Sequence, residues 1–524
     1  MTPPMTHRLP VVALSAVTAL PLVPAVPAVA PPASAQRTST GAGTTTALPA
    51  RLTGQKLNWK RCDPDKPGTF RCATLQVPLD YRDAGGDRIG IAVSRIAATA
   101  PDRRHGVLLS NPGGPGESGL SRPLTMSATL PERATEQYDL IGFDPRGVGR
   151  SAPLSCGLTP DADQEWMRPY HERTFDQDVA WARDFADTCR KNGGSNLPHI
   201  TTRNTARDLD LLRTVLGEQK ISYLGYSYGT YLGAVYAQMF PRRTDRFVLD
   251  SAVDPNHVWR GMVQSWAEEA DRAFDRWAVW TAARHETYGL GTTAEKVAQA
   301  FWDLVEQARQ EPVELDGTRY GPDEIRGALH VDEPELAART VVELRKAASG
   351  KAASGTAVAT PSDASARTDV PFDNSAASFA AVVCNDNSAA WPREPEQYRK
   401  DVAESLRRYP LTGDIVSNVK PCAFWDRSLE PATKVNNRLS ALIVQNEFDS
   451  FTPLPQGQAM HKALHGSRML TAAGGTGHAV YPSGNRCVDD TVAGYLATGT
   501  LPEQDTTCAV SKDTDEDQQR ASPT

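Results

Sequence analysis

Short, uninterrupted apolar runs that each empty into a glycine- or proline-rich stretch recur along this chain. "GVLLSNPGGPGESG" (106–119) is one, and "YDLIGFDPRGVGRS" (138–151) repeats the pattern. A strand buried on both faces reads this way, as a continuous apolar segment that ends in a loop where it leaves the sheet. Between these runs the period changes. "NTARDLDLLRTVLG" (204–217) puts Ala206, Leu209, Leu212, Val215 and Leu216 on one face and closes with Gly217, the spacing of an amphipathic helix with a glycine stop. "ISYLGYS" then reads as a strand, "YGTYLGAVYAQMFP" as a helix halted at Pro241, and "RFVLDSAVDP" as the next strand. This alternation predicts an α/β fold: a parallel sheet covered on both faces, with functional groups at the carboxyl ends of its strands.

One of the predicted strand-to-helix turns is "LGYSYGTYLG" (224–233), with Ser227 between two glycines. A G-x-S-x-G pentapeptide by itself arises by accident in roughly one chain in five of this length and glycine content. Its position between a strand and a helix is what makes it a nucleophile elbow, a tight turn that lifts the serine hydroxyl above the sheet. Such a serine needs a base and an orienting acid, which in α/β-hydrolases follow in the order Ser, Asp, His. "LSALIVQNEFDSFTP" reads as a strand ending at Asp449, and "SRMLTAAGGTGHAVYP" as a strand ending in a glycine loop with His478. Both side chains would emerge at the sheet edge that carries Ser227. Asp250 and Asp254, after the preceding strand, are alternatives to Asp449. The oxyanion donors are expected to be the N–H of Tyr228, just after the nucleophile, and that of Gly114 in "NPGGPG". That loop lacks the lysine and hydroxyl of a phosphate-binding loop and the G-x-G-x-x-G spacing, so no nucleotide cofactor is expected.

The stretch between Ser227 and Asp449 is far longer than one strand and two crossovers need, so a large, mainly helical lid is expected there, at 256–432. "VWRGMVQSWAEEADRAFDRWAVW" (258–280) aligns Trp259, Met262, Trp266, Ala270, Phe274 and Trp277 on one helical stripe, an aromatic face that reads first as packing. Residues 345–370 have almost no large apolar side chain and read as a mobile excursion from the lid. The hydrolase core would then fall in two parts, 51–255 and 433–510.

The ends of the chain and its cysteines bear on compartment. A weakly basic start, an apolar stretch broken by Pro21, Pro24 and Pro27, and Ala33 and Ala35 in "ASAQ" read as a signal peptide over 1–35. A membrane anchor is the other reading, and the prolines disfavour it. Residues 36–50 read as a flexible leader or propeptide and 511–524 as a disordered tail. Eight cysteines in an exported chain suggest disulfides. Sequential pairing, Cys62 with Cys72, Cys156 with Cys189, Cys384 with Cys422 and Cys487 with Cys508, is one of the 105 connectivities eight cysteines allow. Without C-x-x-C or a Cys/His cluster at ligand spacing, no metal site is expected. A net charge of -7 and no basic tract argue against nucleic acid and anionic membranes as partners. A soluble monomer is expected.

Taken in order, "NPGGPG", "DPRGVGRS", "GYSYGTYLG", "VLDSAVDP", the paired "VVCNDN" and "KPCAFW", "FDSFTP" and "GTGHAVYP" resemble the secreted tripeptidyl aminopeptidase group of α/β-hydrolases, relatives of the prolyl aminopeptidases, over residues 55 to 510. The resemblance implies a serine exopeptidase that removes short peptides from free N-termini, with Ser227, Asp449 and His478 as its triad. It also marks a departure, since Glu117 stands where that group has a glycine in GGPGGSG. An exopeptidase must bind an ammonium group, and carboxylates in a partly dry site do so. Glu268, Glu269, Asp386 and Glu117 are the candidates, although each also reads as an ordinary surface charge. A secreted esterase or lipase would use the same triad, and an inactive hydrolase acting as a binding protein is the alternative from another class.

Overall fold

The computed structural model describes residues 48–509 apart from 161, 163–165, 332 and 351–369. The expected signal peptide, the leader up to residue 47, the tail 511–524 and most of the expected mobile excursion lie outside the described residues. The strands, in chain order, are β1 (Lys60–Arg61), β2 (Arg71–Pro78), β3 (Arg88–Ile96), β4 (Gly106–Asn111), β5 (Tyr138–Phe143), β6 (Ile221–Tyr226), β7 (Thr244–Asp250), β8 (Val313–Leu315), β9 (Thr318–Tyr320), β10 (Ala441–Asn446), β11 (Arg468–Ala473) and β12 (Thr506–Ala509). The β8–β9 hairpin stands apart. The others form one sheet in the order β1-β2-β3-β5-β4-β6-β7-β10-β11-β12. From β5 to β12 neighbouring strands run parallel, while β1 to β3 form an antiparallel edge.

Strands β4, β5, β6 and β10 are buried at every position, which is why they read as unbroken apolar runs. Their side chains divide by the two-residue period of a strand. Val107, Leu109, Ile141 and Ile443 join the core on one face, and Leu108, Leu140, Leu442 and Val444 join the core on the other. The helix Thr202–Val215 is capped by Thr201, whose side chain accepts the N–H of Asn204, and Gly217 follows it at φ 78°. In "DPRGVGRS" the residues are structural. Fully buried Arg146 forks onto Asp208 at 2.6 and 2.8 Å, and Asp144 accepts from Ser118, Leu120 and Arg150.

The chain between β7 and β10 divides its allegiance. The far half of the helix Arg260–Ala282, with Ala294–Gln310 and Pro334–Ala348, packs Phe274, Trp277, Phe301, Leu304, Val341 and Leu344 into an apolar cluster of their own. The helix Asn374–Asp386 instead buries Ala377, Ala381 and Val383 in the core of the sheet. Its first turn is tied to the body: Asp373 Oδ2 accepts the N–H groups of Cys156, Gly157 and Leu158, and Asn374 Nδ2 donates to Gly147 and Leu154. Residues 345–348, expected at the start of the mobile excursion, are the last turn of Pro334–Ala348. Arg345 donates there to the carbonyl of Ala300 at 2.6 Å. The described residues from Leu48 to Ala509 belong to one compact unit, and among them no helix is long and apolar enough to cross a membrane.

The disulfides are Cys62–Cys72, Cys156–Cys189, Cys384–Cys422 and Cys487–Cys508, the sequential pairing. Cys384–Cys422 closes 38 residues and holds Asn374–Asp386 to the segment that leads back toward β10. Replacing both cysteines with alanine should cost about 4 kcal/mol from loop-closure entropy. Urea unfolding monitored by tryptophan fluorescence checks this, and a loss as small as that of an exposed pair would mean the bridge constrains little.

Candidate active site

Ser227 sits between β6 and the helix Tyr228–Met239 at φ 53°, ψ -123°, a conformation that non-glycine residues hold only where the surroundings enforce it. Its N–H donates to the carbonyl of Asp250 at 3.0 Å. The elbow closes because its flanking glycines lack side chains: a Cβ on Gly225 would lie 2.6 Å from the carbonyl oxygen of Gly229. The loop after β4 presses on the serine from the other side. Gly113, at φ 114°, has no room for a Cβ, which would stand 2.9 Å from that of Ser227.

Asp449 and His478 meet at the same rim. The imidazole Nδ1 lies 2.9 and 3.0 Å from the two carboxylate oxygens of Asp449. Asp449 is fully buried, and the turn that follows it holds it in place. Its Oδ1 accepts the N–H groups of Phe451 and Thr452, both at 2.9 Å, and its Oδ2 accepts the Thr452 hydroxyl at 2.8 Å. With Nδ1 donating to Asp449, Nε2 is the nitrogen left to exchange a proton.

Asp250, read from sequence as an alternative acid, has another use. Its carboxylate accepts the N–H groups of Val480 and Tyr481 at 2.8 and 2.7 Å. The next residue, Ser251, at φ 56°, accepts the N–H of Ala479 at 2.9 Å through its hydroxyl. Asn446, at the end of β10, donates to the carbonyl of Gly477. Side chains at the ends of β7 and β10 therefore hold the irregular loop that carries His478. Asp254 pairs with His257. The position of Asp250 at a strand end was visible in "VLDSAVDP", but its role was not, because its partners are backbone groups 230 residues away.

Next to the expected oxyanion donor Gly114, the N–H of Gly113 is taken by Asn111 Oδ1 at 3.1 Å. Gly114 is exposed beside it, and Tyr228 is the first residue of its helix, where an N–H has no intrahelical acceptor. The four carboxylate candidates separate clearly. Asp386 is buried beneath the elbow, accepting from Thr202 N, Thr202 Oγ1 and Trp259 Nε1. Burial pushes its carboxyl up to about 6. It serves as an acceptor for its own surroundings, and Glu269 is likewise buried and paired with Arg276 at 2.7 Å. Glu268 pairs with Arg272 on its own helix. Only Glu117 is exposed on the glycine loop, taking a hydrogen bond from Ser375 at 3.1 Å. Among the described residues no group of three or more His, Cys, Asp or Glu side chains could hold a metal ion.

A doubly wound, mostly parallel sheet with a serine on its strand-to-helix elbow and an Asp–His pair at the same rim defines an α/β-hydrolase. Family models agree: "alpha/beta hydrolase fold" matches residues 106–299 and "TAP-like protein" matches 409–508. The chain is 34% identical over 482 residues to the tripeptidyl aminopeptidase of Streptomyces lividans, covering 88% of each. It is 31% identical to the serine protease Hip1 of Mycobacterium tuberculosis, over 87% of this chain and 91% of that one. Carboxylesterase B of Mycobacterium tuberculosis is also 31% identical, over 92% of this chain and 95% of that one. The chain belongs to the tripeptidyl aminopeptidase family of α/β-hydrolases.

Asp250 gives this site a pH signature. Burial pushes its carboxyl from 3.8 up to about 7, and the nearby Asp449 adds to the rise, against the two backbone N–H groups. Between these values the folded state keeps a proton that the unfolded state has released, so this residue's contribution to stability falls as pH rises through the window. Asp250→Asn does not titrate. The stability of the native protein minus that of the variant should therefore decline from about pH 4 to about pH 7 and stay level above, measured by urea unfolding at a series of pH values. A difference that grows with pH would mean that the ionised carboxylate is the form the fold favours.

Proposed function

We propose that the protein is an exported serine exopeptidase that releases short peptides, tripeptides foremost, from free N-termini. The observation that carries this reading is the 34% identity over 88% of the chain to a tripeptidyl aminopeptidase, in a molecule whose Asp449–His478 pair stands at the rim of the Ser227 elbow. Four disulfides support export to an oxidising compartment. In the proposed mechanism His478 Nε2 takes the proton of Ser227, whose Oγ adds to the scissile carbonyl. The Tyr228 and Gly114 N–H groups receive the negative oxygen. His478 then protonates the departing amine as the C–N bond breaks, leaving an ester on Ser227, and water hydrolyses that ester with His478 again as base. Asp449 keeps the imidazole oriented and stabilises its cation.

A carboxylesterase is the second reading, favoured by the relative of that name. Rates on peptide anilides with a free amine, the same anilides N-acetylated, and short-chain esters separate the two. An aminopeptidase should prefer the free amine strongly, whereas equal turnover of blocked and free peptides, or of esters alone, would defeat the exopeptidase reading. Ser227→Ala should remain folded, lose about 10⁴- to 10⁶-fold in kcat and fail to label with a fluorophosphonate. Glu117, which pairs with no cation among the described residues, is the carboxylate proposed to face the substrate amine. Glu117→Gln should raise KM severalfold for free-amine substrates and leave N-acetylated ones nearly unchanged, a split that steady-state kinetics on both series reads directly.

A further inference from the structure

Phe451 is an anomaly in the turn after β10. Its backbone is pinned at both ends, with its N–H on Asp449 Oδ1 at 2.9 Å and its carbonyl accepting the Trp266 indole N–H at 2.6 Å, yet the residue is 55% exposed. A large ring held rigidly in water forgoes the burial that its apolar surface favours. The ring lies against the imidazole of His478, centroids 5.2 Å apart at 47°. The ring of Trp266 approaches it edge-on at 6.4 Å. Trp266 is only half-buried, unlike Met262, Phe274 and Trp277 of the same helix, which are buried. The two aromatics form an apolar shelf beside the Asp449–His478 pair.

The chemistry says which part of a substrate meets that shelf. An imidazole that takes the nucleophile's proton must return it to the leaving atom, so the leaving group rests beside the imidazole. We propose that Phe451 and Trp266 form the subsite for the side chain of the residue just after the cleaved bond, and that they select large apolar residues there. The glycine loop with Gly114 and Glu117 stands on the acyl side of Ser227 and takes no part in this choice. The inference rests on the acyl-transfer roles given to Ser227 and His478 above, and not on recognition of a free N-terminus.

The test uses peptides that share the first three residues and differ in the fourth, glycine or phenylalanine, with kcat/KM from the rate of amino-acid release. The native enzyme should favour phenylalanine by about 10- to 100-fold, the range that apolar pocket contacts supply. In Phe451→Ala that ratio should fall to within about threefold of unity, and Phe451→Leu should keep part of it. A variant that merely disturbs the Asp449 turn lowers both rates together and leaves their ratio intact, so an unchanged ratio overturns the proposal. So does a native enzyme with no preference. Should the enzyme cleave only esters, the exopeptidase reading fails but the shelf is still tested. Benzyl and methyl esters of one short acid then replace the peptides, and the intrinsic reactivity of each alcohol cancels when the native ratio is divided by that of the variant. A quotient near one would overturn the shelf, and a benzyl preference lost in Phe451→Ala would support it.

Discussion

The geometry of the rim depends on one buried residue with two kinds of acceptor. The main-chain oxygen of Asp250 takes the N–H of Ser227, and its carboxylate takes two successive N–H groups just past His478. Ser227 and the loop that carries His478 are thus located from a single point at the end of β7. The reason lies in what each segment lacks. Ser227 sits in a turn with no helical or ladder partner for its N–H, and residues 474–484 form an irregular loop whose buried amides would otherwise go unpaired. A carboxylate at the strand end satisfies two of those amides at once. The desolvation of Asp250 is the cost, and it appears as a carboxyl raised to about 7.

The same logic explains why Asp449, and not Asp250, is the carboxylate paired with His478. Two carboxylates stand at adjacent strand ends, both fully buried. One is consumed by backbone amides of the histidine loop. The other accepts from its own turn and still presents both oxygens to the imidazole nitrogen. Environment, rather than residue type, divides the work between them.

The inserted chain meets the rim in two ways. On one side the helix Asn374–Asp386 is part of the body, and the glycine loop lies directly on it: a Cβ on Gly116 would stand 2.7 Å from the carbonyl oxygen of Ser375. On the other side Trp266 comes from a helix whose far half belongs to a separate apolar cluster. Its hydrogen bond to Phe451 and the bond from Gln456 to Ser265 tie that helix to the segment that follows Asp449. The aromatic stripe read along residues 258–280 is mostly packing, as its helical spacing suggests. Trp266 is the member left to face the rim.

The strands buried on both faces, the helices between them and the elbow at Ser227 were legible in the sequence, because continuous apolar runs, 3.6-residue periodicity and glycines in a tight turn are properties of neighbouring residues. The antiparallel edge of β1 to β3 and the short β12 were not foreseen, since edge strands carry mixed polar patterns such as "RCATLQVP". Sequence order alone ranked Asp449 above Asp250, but only the folded chain assigned Asp250 its backbone partners, withdrew Asp386 and Glu269 from the surface, and set Phe451 against His478. Those outcomes turn on contacts between segments tens to hundreds of residues apart, where a side chain's chemistry is decided by what desolvates it and which groups it must satisfy. Local pattern therefore determined which elements form and where reactive groups leave the sheet, and tertiary packing decided which of those groups remain free to act.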